Sequence, residues 1–373
     1  MKRIISLFLI FIATISFVSC SKAEKVEKIE VVRNQQPLTA QKIELPLELQ
    51  GYKYVYLKSF DGQYAVFTVE REETIGDDSF AGDTGRIAVY DVLTEKVVHL
   101  VNFNMPGFKV GSAVKQGENL YFTAYNRVDF TEYVNVNNGL GNIAIDADSI
   151  DESYNYSRLY KDGDNIFLIK SKGEIGNTEY DIFLLNGNSF DSVCGFEPTG
   201  NIIEFRGLEN GQPVIYQTDI SDEENIYFNV YKGDEKKTIF SLKKEHTHSF
   251  VQLENMFIHP VGSLDNENAY KMMAVTDLES KNVTEIGMMQ GGFLGNFENK
   301  GIMFTYGESP ERIYLYEAKD NVLEITPIDI DVKGMNNQSY YMTKNNALMS
   351  IGKISLEGTD LIEGGKQWYL LEY

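Results

Sequence analysis

Short apolar stretches rich in aromatic residues recur along the chain after residue 50, and each follows a polar turn containing Gly, Asn or Asp. Seven stretches share this form, at residues 64–67, 120–122, 166–168, 214–216, 256–258, 302–304 and 347–349. From Phe67 to Met349 is 282 residues over six intervals, or 47 residues per repeat. No long helical period accompanies them, so the pattern predicts β-strands.

A second set of short strands keeps the same period. It lies at residues 86–90, 142–145, 181–184, 225–228, 270–273, 312–316 and 367–370. A tight turn and a further strand follow most of them, so each repeat predicts four antiparallel strands, the content of one β-propeller blade. We therefore predict an all-β propeller of seven four-stranded blades. The weak repeat around residues 134–151 leaves six or eight blades as alternatives.

The two ends of the predicted propeller complement each other. The seventh repeat ends at Tyr373 and contains three predicted strands, at residues 339–343, 347–351 and 367–372. Residues 42–49 supply a spare strand with apolar residues at alternate positions, namely Ile43, Leu45, Leu47 and Leu49. Pro46 has no N–H to donate, which favours an outermost position in the sheet. We predict that residues 42–49 pair with the last blade and close a single domain spanning residues 42–373.

Residues 59–67, with the sequence Ser-Phe-Asp-Gly-Gln-Tyr-Ala-Val-Phe, resemble the repeats of TolB-type propellers. The predicted architecture is also similar to that of WD40 proteins, although the chain lacks their Trp-Asp pair. This resemblance implies the architecture and no particular activity, because propellers carry many unrelated functions.

The first residues predict an export signal. Lys2 and Arg3 precede an apolar run at residues 4–18, and a short apolar run after a basic tip is typical of a secretory signal peptide. The residues Phe17-Val18-Ser19-Cys20 resemble the lipobox of bacterial lipoproteins. That resemblance implies a signal peptide at residues 1–19, removed by cleavage, and lipidation of the Cys20 thiol.

The resemblance also implies a location in the cell envelope. A bilayer would hold the acylated Cys20, and residues 20–41 are predicted to be a tether. The residue after Cys20 is Ser21 and not Asp, which in lipoproteins of two-membrane bacteria implies the outer membrane. In an organism with one membrane, the same protein would lie on the outer face of the cell membrane.

Composition narrows the possible functions. The chain has 373 residues with 34 Lys and Arg against 55 Asp and Glu, a formal net charge of −21. Such an excess of negative charge argues against nucleic-acid binding. Two cysteines exclude a disulfide scaffold, and we interpret Cys194 as a small buried residue rather than a nucleophile. We expect a monomer.

Unequal loop lengths predict where a ligand would bind. The loops between the second and third strands span 16, 16 and 15 residues at 70–85, 126–141 and 352–366, but only five residues at 307–311. The three long loops belong to blades that are neighbours in a closed ring, and long loops on a rigid scaffold commonly bind ligands. The candidate binding residues are Asp77, Asp78, Phe80, Arg127, Phe130, Tyr133, Asp360 and Glu363.

Signals for catalysis are scarce. The sequence contains no Gly-x-Ser-x-Gly, His-Glu-x-x-His or phosphate-binding Gly-x-x-x-x-Gly-Lys motif, and it predicts no metal site and no cofactor. We predict a lipid-anchored, non-catalytic binding module for a protein, peptide or glycan. The alternatives are a propeller glycoside hydrolase or polysaccharide lyase, and an assembly scaffold of an envelope complex.

Overall fold

The computed structural model describes residues 28–50, 52, 54–70, 84–103, 107–126, 132–137, 142–144, 156–174, 177–187, 189–196, 202–219, 221–243, 251–260, 272–288, 291–305, 312–332, 337–357 and 360–373. Within these ranges the regular elements are strands. No helix among them is long and apolar enough to cross a bilayer.

Twenty-nine strands are present in the described ranges. The first fourteen are β1 (Glu30–Arg33), β2 (Leu38–Ile43), β3 (Tyr54–Phe60), β4 (Tyr64–Glu70), β5 (Thr84–Asp91), β6 (Lys96–Asn102), β7 (Phe108–Gln116), β8 (Asn119–Asn126), β9 (Glu132–Asn137), β10 (Asn142–Ala144), β11 (Tyr156–Asp162), β12 (Asn165–Glu174), β13 (Asn177–Asn186) and β14 (Ser189–Phe196). The others are β15 (Ile202–Glu209), β16 (Gln212–Asp219), β17 (Asn225–Lys232), β18 (Glu235–Lys243), β19 (Val251–Leu253), β20 (Met256–Pro260), β21 (Met272–Asp277), β22 (Val283–Met288), β23 (Gly291–Phe297), β24 (Lys300–Thr305), β25 (Ile313–Lys319), β26 (Val322–Asp329), β27 (Asn337–Met342), β28 (Asn346–Glu357) and β29 (Asp360–Glu372).

Most strands pair with their neighbours in the chain. The first to fifth sheets each hold four antiparallel strands, and they are β3–β6, β7–β10, β11–β14, β15–β18 and β19–β22. The remaining strands form a nine-stranded sheet in the order β23-β24-β25-β26-β2-β29-β28-β27, with β1 also paired to β26. In this last sheet, β2 joins the β23–β26 group to the β27–β29 group.

First strands of neighbouring groups contact one another. Strand β3 contacts β7, and β7 contacts β11. Further along the chain β19 contacts β23, β23 contacts β27, and β27 returns to contact β3. Because the later strands of each group pair outward from these first strands, the architecture is all-β and propeller-like.

Hydrophobic clusters fill the spaces between groups that are consecutive in the chain. Val66 of β4 and Phe122 of β8, for example, belong to one cluster between the first and second sheets. Between the β27–β29 group and the first sheet, the rings of Trp368 and Phe67 meet edge to face with centroids 4.9 Å apart. Comparable clusters occupy the other interfaces. Since a single sheet cannot bury both of its faces, the core depends on this face-to-face packing.

Aspartates end the third strand in two of the sheets and shape the turn that follows. The Asp91 carboxylate accepts hydrogen bonds from the backbone N–H groups of Leu93 and Thr94 and from the Gln63 side chain. Asp277 accepts the equivalent side-chain bond from Asn255. Carboxylates that accept backbone N–H bonds fix turns of this kind. Burial raises the pKa of Asp91, but these hydrogen bonds outweigh it and hold the pKa below its ordinary value.

The closing strand exists, but its position differs from the predicted residues 42–49. Strand β2 runs from Leu38 to Ile43 and pairs antiparallel with β29, where Ile43 lies opposite Trp368. The first residues of β2 also pair in parallel with β26. The predicted partner was therefore correct and the predicted bounds of the strand were wrong.

Pro46 explains why the strand stops early. The backbone N–H groups of Leu49 and Gln50 donate to the Pro46 carbonyl, so the chain turns where the alternating pattern predicted extension. Leu47 is 81% exposed at this turn, whereas Leu49 is 1% exposed. Leu49 reaches the core from the turn and not from a strand.

Part of the segment predicted to be a tether lies in the nine-stranded sheet. Strand β1 and the beginning of β2 fall within residues 20–41. Ile29 packs between the fifth sheet and the β23–β26 group, and Arg33 donates to the carbonyl of Ile286. The signal peptide at 1–19, together with Cys20 and the start of the tether, lies outside the described residues.

Two of the predicted long loops contain strands. Residues 132–137 form β9, the third strand of the second sheet, and 142–144 form the fourth. Asn137 of β9 is buried, and its Oδ1 lies 2.7 Å from Nε2 of His99. The sequence pattern did not reveal this polar contact. In the seventh repeat, the strands β28 and β29 continue their pairing as far as Glu357 and Asp360, so most of 352–366 is a hairpin and not a loop.

Candidate functional site

The sequence-predicted binding residues divide into two groups. Outside the described residues lie Asp77, Asp78, Phe80, Arg127 and Phe130. Tyr133 lies in β9 with its backbone opposite Ala124. Asp360 and Glu363 lie in β29. The structure thus brings Asp360 and Glu363 onto one strand and places Tyr133 in a different sheet.

Strand β3, the innermost strand of the first sheet, lies beside the start of the predicted long loop at residues 70–85. Tyr54 begins β3 and pairs with Glu70, the last residue of β4 before residues 71–83. The rings of Tyr54 and Tyr56 are stacked, with centroids 6.4 Å apart and planes 6° apart. Both side chains are half-buried, so part of each ring is exposed to solvent.

Alternation along β3 determines which side chains meet the second sheet. Val55 and Leu57 point into the cluster that contains Trp368. Tyr54 and Tyr56 therefore leave the opposite face of the strand. Lys58 follows them at the irregularity in the β3–β4 pairing between Leu57 and Ser59. There Lys58 donates to the carbonyl of Gly111 in β7 over 3.2 Å.

Three lysine ammonium groups surround the ring of Tyr56. The Nζ atoms of Lys58, Lys109 and Lys366 lie 5.7, 5.8 and 5.5 Å from the ring centroid. Because Lys58 belongs to β3, Lys109 to β7 and Lys366 to β29, three groups of strands meet at this ring. Each ammonium lies within the range of a cation–π contact, which contributes about 0.5–1 kcal/mol at an exposed site. We call Tyr54, Tyr56, Lys58, Glu70, Lys109 and Lys366 the lysine–tyrosine cluster.

A carboxylate and a backbone carbonyl fix the positions of two of these lysines. Lys109 Nζ lies 2.8 Å from Glu70 Oε1, and the side chain of Glu70 is 3% exposed. A carboxylate buried to this extent needs such a partner, because its desolvation is otherwise costly. Lys366 Nζ donates to the carbonyl of Val55 over 3.2 Å.

Lys58 is the lysine whose ionisation the structure changes most clearly. Burial lowers the pKa of its ammonium from the ordinary value of 10.5 to about 8. The carboxylate of Glu70 opposes this shift, and the ammonium of Lys109 adds to it. Lys58 is therefore mostly charged at pH 7 and loses its charge within about one pH unit above 8.

Cys194 and His259, two residues of types common in active sites, have structural roles. Burial, together with the carboxylates of Asp181 and Asp234, raises the pKa of the Cys194 thiol to about 11, so it stays protonated at neutral pH. Buried His259 lies with Nε2 2.8 Å from Thr276 Oγ1. Across the described ranges, no group of three His, Cys, Asp or Glu side chains is placed to hold a metal ion.

The sequence contained a signal for this cluster. Tyr54-Val55-Tyr56-Leu57-Lys58 alternates polar or aromatic residues with apolar ones immediately before the first repeat strand. Alternation alone indicates a strand with one buried face. Lys109 and Lys366 are far away in the chain, and no local pattern relates them to Tyr56.

Comparison with known proteins identifies the fold and no family. No protein-family model matches the chain, and no curated protein matches it. Among solved structures, the chain is similar to the polysaccharide lyase Uly1, with 9% identity, coverage of 95% of this chain and 94% of that chain, and a TM-score of 0.53. It is also similar to the β-propeller domain of the Trilobed protease from Pyrococcus furiosus, with 11% identity, coverage of 85% and 94%, and a TM-score of 0.51. At such identities the likeness shows a β-propeller fold alone.

Proposed function

We propose that the protein is a non-catalytic binding module whose partner is a glycan, bound at the lysine–tyrosine cluster. The observation that carries this proposal is the stack of half-buried tyrosines on the innermost strand, beside the first long loop. Tyrosine presents a broad apolar face together with a polar hydroxyl, and so can meet both the C–H face and the hydroxyl groups of a sugar ring. Lysine donors around the same ring would orient the sugar.

We further propose that the propeller has seven four-stranded blades. The five separate four-stranded sheets support this count, as does the division of the nine-stranded sheet into β23–β26 and β27–β29 with β2. A hydrophobic cluster at each interface between consecutive groups supports it as well. In this arrangement the cluster sits where the seventh, first and second blades meet.

The proposed location is the cell envelope, with the chain anchored in a bilayer through acylated Cys20. The lipobox-like residues before Cys20 support this proposal. Metabolic labelling with a radioactive or clickable fatty acid tests it. Label is expected on the wild-type chain and absent from Cys20→Ser, and label retained by Cys20→Ser would contradict the anchor.

Glycan-array screening of the mature chain carrying Cys20→Ser tests the proposed function. Tyr56→Ala should abolish the signals given by the parent chain, because the half-buried ring is lost. Tyr227→Ala is the matched control, since Tyr227 is a half-buried tyrosine of β17 in the fourth sheet. An array without signals, or signals that Tyr56→Ala leaves unchanged, would refute glycan binding at this site.

One observation favours a polysaccharide lyase as the second candidate. Lyases remove a proton from the carbon next to a carboxylate. A lysine whose pKa is lowered to about 8 has, near that pH, a neutral fraction that can accept such a proton. The solved structure of a polysaccharide lyase has a similar fold, but that similarity concerns the fold alone. A lyase would release products with a new carbon–carbon double bond, detected by ultraviolet absorbance. A glycosidase is less favoured, because the described residues of the lysine–tyrosine cluster include one carboxylate, Glu70, where hydrolysis needs two.

A further inference from the structure

We propose that the glycan is acidic, and that the lysine–tyrosine cluster receives the carboxylate of a uronic acid residue. This inference rests on the proposed function and specifies its ligand class. It follows from the charges, contacts and burial around Tyr56.

The charge distribution at the cluster is opposite to that of the whole protein. The chain carries a formal net charge of −21, yet three ammonium groups lie within 6 Å of one ring centroid. Lys109 repels Lys58 strongly enough to contribute to the lowered pKa of Lys58. An arriving carboxylate would reduce this repulsion, so the site favours an anion over a neutral group.

Lys58 is half-buried and has donors left for such a carboxylate. It donates a hydrogen bond to the Gly111 carbonyl, and no carboxylate of the described residues forms an ion pair with it. An ammonium has three donors. Lys58 can therefore bind a ligand oxygen without giving up its contact with β7.

Glu70 shows how the cluster already holds a carboxylate. Its Oε1 accepts from Lys109 over 2.8 Å in a nearly solvent-free position. Thr68 lies opposite Tyr56 in the register of β3 and β4, and its hydroxyl is buried with no partner in the described part of the chain. The site therefore contains an internal carboxylate, that of Glu70, which would compete with a ligand carboxylate for the lysines. It also contains the Thr68 hydroxyl, which has no hydrogen-bond partner among the described residues.

Matched acid and methyl-ester oligosaccharides test the proposal, because esterification removes the charge and preserves the sugar. We would measure Kd by calorimetry for tetramers of galacturonic, glucuronic and mannuronic acid and for their methyl esters. For at least one backbone, the acid should bind at least about tenfold more tightly than its ester, the scale of one charge-assisted hydrogen bond.

Two substitutions should change the affinity for the acid in opposite directions. Lys58→Met keeps the apolar stem and removes the charge, so it should weaken binding of the acid by at least about tenfold and leave the ester unchanged. Glu70→Gln removes the competing charge and should tighten binding of the acid. Lys319→Met, an exposed position in β25, is the control. Fluorescence of the single tryptophan, Trp368, and the melting temperature report whether each variant is folded.

The outcomes separate the two proposals. Equal binding of acid and ester, with no effect of Lys58→Met, would overturn the acidic ligand while glycan binding stands. Binding of none of the six oligosaccharides would also overturn the acidic ligand, and array signals lost in Tyr56→Ala would still support a neutral glycan. A silent array would overturn the proposed function as well.

Discussion

The carboxylate of Asp61 and the ammonium of Lys161 lie 3.0 Å apart and join the first sheet to the third. The second sheet separates these two in the chain, and its first strand contacts the first strands of both. The ion pair therefore crosses the inner edge of the second sheet. Asp61 follows the end of β3, at the opposite end of that strand from Tyr54 and the lysine–tyrosine cluster.

Substitutions of Asp61 should distinguish the contribution of the ion pair to the free energy of unfolding from the contribution of the turn. Asp61→Asn should cost less than about 1 kcal/mol, because both side chains of the pair are partly exposed. Asp61→Ala should cost about 1 kcal/mol more, since Asp61 Oδ1 also accepts from the N–H groups of Gln63 and Tyr64. Urea unfolding measures both costs. Lys161→Met should cost as much as Asp61→Asn, because both remove only the ion pair. If Lys161→Met cost as much as Asp61→Ala, the hydrogen bonds of the turn would not explain the extra cost of Asp61→Ala.

The position of the closing strand predicts a contrast between two apolar residues of the same segment. Ile43 is buried opposite Trp368, so Ile43→Ala should lower the free energy of unfolding by about 2–4 kcal/mol. Leu47 is exposed in the turn, and Leu47→Ala should change the free energy of unfolding by less than about 0.5 kcal/mol. Denaturation followed by Trp368 fluorescence checks both. Equal costs would favour the predicted strand at 42–49 over β2.

The repeat was predictable from the sequence because its signal is local. A Gly, Asn or Asp turn followed by an apolar run places residues 64–67 in β4, and the same pattern succeeds for the equivalent strands of the other repeats as far as β28. The third strands at residues 86–90 and 181–184 also fall where their period predicts. Both signals arise within a few residues of the chain.

The bounds of the closing strand, its pairing with β26 and the lysine–tyrosine cluster were not predictable, because they depend on distant partners. Strand β2 pairs with β26 and β29, nearly 300 residues or more away in the chain, and its residues Gln41 and Lys42 are exposed and show no apolar stripe. The cluster around Tyr56 likewise combines residues 58, 109 and 366. Local patterns specify strands, whereas contacts such as these depend on how distant groups of strands pack against one another.

A close approach between two inner strands makes Gly295 sensitive to substitution. A Cβ atom at this position would lie 1.8 Å from Cε2 of Tyr340, which is half-buried. Gly295→Ala should therefore destabilise the fold by about 1–3 kcal/mol. In a Tyr340→Ala background the same change should cost almost nothing, and thermal unfolding of the four proteins measures this coupling.

Gly352→Ala provides the control for this steric argument. A Cβ atom there would meet its nearest neighbour, Cα of Lys366, at 3.4 Å, an ordinary contact distance. Its cost should be clearly smaller than that of Gly295→Ala. If both substitutions cost the same, loss of glycine itself and not the contact with Tyr340 would be responsible.

The lowered pKa of Lys58 predicts how the stability of the fold varies with pH. Between about 8, its pKa in the folded chain, and 10.5, its ordinary value, the unfolded chain binds the proton that the folded chain has released. The free energy of unfolding of the wild type, relative to Lys58→Met, should therefore rise with pH across this window, by a few kcal/mol at most. The groups around Lys58 are Tyr56, Glu70, Lys109 and Lys366, and the variant retains all of them.

Urea unfolding of both proteins at pH 7, 8, 9 and 10 measures this difference. Lys319→Met, which removes an exposed ammonium, should keep a constant difference from the wild type over the same range. A difference between the wild type and Lys58→Met that stays flat or falls with pH would show that the ammonium is not destabilised by burial. In that case Lys58 would stay charged well above pH 8, and the case for it as the proton acceptor of a lyase would be lost.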